Sequence, residues 1–116
     1  MTFLYVAAGG AIGALLRYIL ALFVVFPLGT LLVNILGSFL MGVCFIWFSA
    51  KGFDRVAVFA MTGVLGGFTT FSAFSLDTFR LFERGDAGLA VLYILASVCL
   101  SLLALWIGIA TARGFA

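Results

Sequence analysis

The chain has 116 residues, 66% of them hydrophobic and 9% charged, with six Lys or Arg against four Asp or Glu and a formal net charge of +2. Soluble domains carry roughly a quarter charged residues, so this composition, with mean hydropathy +1.39, excludes a soluble globule and identifies an integral membrane protein. Histidine is absent, which removes the commonest metal ligand and general base, and no Ser/His/Asp or Cys/His arrangement can be built, so an enzyme is not expected.

Length allows one domain with at most about four or five spans of roughly 20 residues each. The expected architecture is an all-α membrane protein, a single domain over residues 1–116. Its four transmembrane helices fall at about residues 2–26, 28–50, 56–83 and 87–112, the third broken near its middle at 66–70. No basic region precedes the first apolar run, so that run reads as a retained span rather than a cleaved signal. Arg17 is the only charge well inside it. A charge at that depth costs at least ~2.5 kcal/mol, so Arg17 either snorkels to the interface or lines a watery vestibule that draws anions.

In the second span Thr30, Asn34 and Ser38 recur every four residues and share one helical stripe. The amide of Asn34 needs partners in hydrocarbon, either on a neighbouring helix or along an ion path. Cys44 here, and Cys99 in the fourth span, lie in apolar runs without metal-ligand spacing and read as small buried apolar residues.

The third span contains GGFTTFSAFS, residues 66–75. Two glycines followed by two threonines are weak helix, and a break frees backbone groups that lipid cannot satisfy. Carbonyls freed there, met by their mates across a dimer axis, would cage a cation. Phe71 and Phe74 stand three apart on the following half-helix, where they are either core or a pair of positive ring edges for an anion. Asp77, Arg80, Glu83 and Arg84 read as the solvated end of this helix, with Asp77 and Arg80 spaced for an i,i+3 pair. In the fourth span Tyr93, Ser97 and Ser101 form a hydroxyl track of about 12 Å at ~1.5 Å rise per residue. Each serine could instead bond a carbonyl one turn back.

Small residues four apart (Gly9 and Gly13, Ser38 and Gly42, Gly63 and Gly67) favour close helix contacts. Lys51, Arg55 and Arg113 lie on the side of the termini, and Arg80, Arg84 and Arg17 on the other. Cytoplasmic loops collect positive charge, so this balance predicts insertion both ways and permits an antiparallel homodimer with a two-fold axis in the membrane plane. No tract of like charges marks a nucleic-acid surface; the expected surroundings are lipid.

Taken together, GGAIGALLR ending at Arg17, GTLLVN ending at Asn34, GVLGGFTTFSAFS over residues 63–75 and the Tyr93, Ser97, Ser101 series resemble the Fluc family of fluoride channels, also called CrcB. The resemblance covers the whole chain. It implies a four-span, antiparallel, dual-topology homodimer in a prokaryotic plasma or inner membrane, with two pores that pass fluoride. On that resemblance Asn34 donates to fluoride, Phe71 and Phe74 form a phenylalanine box, and Tyr93, Ser97 and Ser101 form the polar track, with Thr30 and Arg17 also on the ion pathway. The carbonyls of Gly66 and Thr69, doubled by the partner, would hold a structural sodium ion, and no organic cofactor is implied. Some members carry glutamate at the position of Asp77. The alternative is a proton-coupled small exporter of similar size and topology, which needs a carboxylate deep in a span; a structural subunit would explain glycine packing but not two polar stripes.

Overall fold

The computed structural model describes residues 1–114. It is all helical among those residues: α1 (Thr2–Leu22), α2 (Leu28–Lys51), α3 (residues 55–68), α4 (Ser72–Glu83) and α5 (Ala87–Arg113). Four units are long and apolar enough to cross a membrane: α1, α2, the pair α3 and α4 taken together as Arg55–Glu83, and α5. The first helix stops at Leu22, and residues 23–27 turn the chain through a cis Phe26–Pro27 peptide. At the start of α3, Asp54 Oδ1 accepts the backbone N–H groups of Val56 (3.0 Å) and Ala57 (3.3 Å), a side-chain cap for donors that a helix start leaves free. Between α4 and α5, Gly85 takes φ +82°. Its N–H bonds Phe82 O while Asp86 N–H bonds Leu81 O, the paired closure that a left-handed glycine permits at a helix end.

Glycine decides which helices touch. A Cβ at Gly9 would stand 2.8 Å from the Cα of Gly63, and one at Gly67 would stand 2.6 Å from Gly10 O. A Cβ at Gly13 would collide with Val64 O. These obstacles are backbone, so α1 and α3 run in direct main-chain contact that any side chain would force apart. A second such pair joins α2 to α5: a Cβ at Gly42 would strike Leu105 O, and one at Gly108 would strike Phe39 O. Apolar residues such as Leu15, Leu92, Leu95 and Trp106 remain outside, facing the hydrocarbon that such a chain requires. Cys99 is exposed on this outer surface and Cys44 half-buried, so the expectation that both are buried fails for Cys99.

The third span is interrupted at residues 69–71. Gly66 keeps helical dihedrals (φ −62°, ψ −37°), whereas Thr69 is extended (φ −84°, ψ 158°). The glycine pair, where sequence places the start of the break, stays helical, and Gly67 lies in close contact with the backbone of Gly10. Preceding it, Val58–Leu65 is wound as a π-helix, a wider winding than the α-helix and an uncommon one.

Candidate functional site

The interruption is held by one side chain. Asn34 Nδ2 donates to Thr70 O at 2.9 Å, and Thr70 N–H donates to Asn34 Oδ1 at 2.8 Å. A backbone N–H can only donate, so this pairing fixes which end of the amide is oxygen. Nδ2 keeps a second proton, and Asn34 lines a cavity of about 450 Å³ together with Phe71, Phe74, Ser97 and Ser101. Thr70 also starts the next half-helix, because its Oγ1 accepts Ala73 N–H at 3.2 Å. Thr69 folds back, its Oγ1 donating to Leu65 O at 3.0 Å.

The two phenylalanines differ in setting. Their ring centroids lie 5.2 Å apart at 57°. Phe74 is buried, but Phe71 is 74% exposed on the protomer surface. Phe74 in turn meets Tyr93 at 5.4 Å, and both join a cluster with Leu81 and Ala90. The two serines of α5 differ from four other hydroxyls. Ser49, Thr69, Ser75 and Thr78 each donate to a carbonyl four residues back. Ser97 Oγ and Ser101 Oγ are buried and have no hydrogen-bond partner among the described residues, so back-bonding does not account for these two serines.

Of the remaining candidates, Thr69 also lines this cavity, whereas Tyr93, Thr30, Arg17 and Gly66 do not. Tyr93 donates its hydroxyl to Asp77 Oδ2 at 3.2 Å. Asp77 also lines a smaller cavity of about 170 Å³ with Thr30 and Phe26. Arg17 Nε donates to Gly67 O at 3.2 Å and does not line either cavity. The carbonyls of Gly66 and Thr69 accept no hydrogen bond among the described residues, and Gly66 is exposed on the protomer surface.

Sequence reading misplaced Asp77. It is 7% exposed and bonds Tyr93 rather than Arg80; the ion pair among the described residues is Arg84 with Asp86, at 4.0 Å. The signal was present in the spacing, because Phe74, Asp77 and Leu81, the buried residues of α4, stand three and four apart on one helical face. Asp77 is thus buried within the protomer rather than solvated at the helix end. Thr70 was also passed over, because its contribution comes from backbone groups that any residue carries.

The comparisons with known proteins fit this architecture. Residues 4–109 match the family described as CrcB-like protein, Camphor Resistance (CrcB). A protein of Cereibacter sphaeroides called fluoride-specific ion channel FluC is 55% identical over 118 residues, covering 97% of this chain and 94% of that one. Proteins of the same name from a Ruegeria species (53%, covering 98% and 96%) and from Rhodopseudomonas palustris (46%, covering 97% and 98%) are similar along almost their whole length. With four apolar spans, a helix broken at an Asn-held peptide and matches along nearly its full length, the chain belongs to the CrcB family.

Proposed function

We propose that this chain is a fluoride-selective channel that lets cytoplasmic fluoride leave passively and so lowers its toxicity. The observation that carries this reading is the pair of buried hydroxyls, Ser97 and Ser101, that have no hydrogen-bond partner among the described residues and share a cavity with Asn34, Phe71 and Phe74. Buried polar groups are almost always satisfied, so two in a single cavity without a partner mark a place for something the protomer does not itself supply. Neutral donors suit fluoride. The ion is small and strongly hydrated, and a pore must replace its water with close donors at successive sites without binding so tightly that release fails. Asn34, with one amide proton to spare, and the ring edges of Phe71 and Phe74 extend the same set. Fluoride enters cells as neutral HF and ionises in the cytoplasm; a passive anion path lets the membrane potential expel it.

The working unit is an antiparallel, dual-topology homodimer in the lipid of the plasma membrane. Supporting this are the balanced flanking charges and the exposed Phe71 and Gly66 on the protomer surface. A sodium ion at the dimer axis fits the free carbonyls of Gly66 and Thr69, which are hard neutral oxygens of the kind that suit a hard cation. Bound there, sodium would supply positive charge to oxygens that the break leaves without donors.

The buried carboxylate of Asp77 is the one feature that favours a proton-coupled exporter, since such transporters couple through a membrane-embedded acid. Against this, Asp77 lies outside the cavity of the unpartnered serines. Replacing Ser97 and Ser101 together by Ala tests the channel reading. Neither hydroxyl has a hydrogen-bond partner among the described residues, so folding and detergent stability should hold while fluoride flux through liposomes falls. Unchanged flux would return both serines to packing.

A further inference from the structure

Gly9, Gly13 and Arg17 form a single stripe on α1, each four residues from the next. The two glycines bring α1 into main-chain contact with α3, and one turn further on the stripe carries the guanidinium to the end of α3. There Arg17 Nε meets Gly67 O at 3.2 Å. A helix leaves its last four carbonyls without partners, and its aligned peptides put roughly half a negative charge at that end. In α3 this end lies in the middle of a span, where lipid offers no donor.

Among the described residues, the carbonyls at the break divide cleanly. Leu65 O accepts Thr69 N–H and its hydroxyl, Thr70 O accepts Asn34, Phe71 O accepts Ser75, and Gly67 O accepts Arg17. Only the carbonyls of Gly66, Phe68 and Thr69 are left.

We infer that Arg17 is the cap of the broken third span: a positioning residue that holds the end of α3 through Gly67 O and leaves the Gly66 and Thr69 carbonyls free. This explains the only charge deep in α1 without placing it in an ion path. The cation neutralises the half-helix end, and the charged hydrogen bond replaces the helical one lost at residue 71. Asn34 secures the far side of the same break through Thr70, so the interruption is clamped from α1 on one side and α2 on the other. The consequence for sodium rests on the proposed function; the capping geometry does not.

Amide hydrogen exchange of the full chain in lipid nanodiscs tests the inference, with Arg17→Ala compared against wild type. A hydrogen bond to a charged group is strong enough that its loss should raise exchange at residues 66–71 roughly 10-fold or more. The α2–α5 contact around Gly42 and Gly108 serves as internal reference and should not change. Arg17→Lys, which keeps the charge without the planar fork, should restore part of the protection. If Arg17→Ala does not purify folded, Arg17→Gln takes its place, with a smaller rise of about 3-fold expected at the same residues. Unchanged exchange at 66–71, or an equal rise in all helices, overturns the cap. Fluoride efflux measured on the same wild-type preparation keeps the two claims apart, because a protein that passes no fluoride sinks the channel reading while exchange still decides the cap.

Discussion

The side chain of Asn34 grips the peptide of Thr70 from both sides, donating to its carbonyl at 2.9 Å and accepting its N–H at 2.8 Å. A carboxamide carries its donor and its acceptor on separate atoms, so one side chain serves both groups at once. It supplies, from a neighbouring helix, the partners that the interruption takes away.

Asn34→Ala removes both bonds and should lower the stability of the protein in micelles by about 2 kcal/mol, allowing about 1 kcal/mol per bond. Asn34→Asp keeps the acceptor for Thr70 N–H but loses the donor to Thr70 O, and adds a negative charge to the cavity. It should abolish fluoride flux. Denaturation curves and liposome flux check both; an Asn34→Asp protein that conducts like wild type would remove Asn34 from the ion path.

The two phenylalanines should respond differently to the same change. Phe71 is largely exposed on the protomer, so Phe71→Ile should leave protomer stability within about 0.5 kcal/mol while reducing fluoride flux roughly 10-fold, the equivalent of one ring-edge interaction. Phe74 packs against Tyr93 within the buried cluster, so Phe74→Ile should cost stability as well, about 1–3 kcal/mol. Flux and thermal unfolding measured on both variants separate the roles. Equal destabilisation by both would mean that Phe71 is core.

Much of this arrangement was legible as periodicity. The four-residue spacing of Asn34 with Ser38, and of Ser97 with Ser101, foretold groups that share a cavity, whereas Thr30, on the same stripe as Asn34, lines the smaller one. The glycine spacings likewise foretold close contacts, though not that Gly9 faces Gly63 or that Gly42 faces the α5 backbone near Gly108, since pairing between helices is a tertiary fact. The break moved from the glycines to residues 69–71 for a similar reason. Local weakness at Gly66 and Gly67 is overridden by contact with Gly10, and the chain opens where Asn34 waits for it. Asp77 was misread because charge was weighed above helical phase.

Orientation can be read directly. A cysteine placed at Ala87, exposed at the start of α5, in a background lacking Cys44 and Cys99, should react with an impermeant maleimide from outside the cell in about half of the copies. The rest should label only after permeabilisation. Labelling from one side alone would exclude the dual-topology dimer.

Efflux from liposomes holding purified protein tests the central claim most directly. With potassium made permeant to carry the balancing charge and no proton gradient applied, fluoride should leave within seconds of that permeability being supplied, while chloride under the same conditions stays inside. Equal efflux of chloride, or fluoride movement that appears only when a proton gradient is imposed, would contradict a selective passive channel.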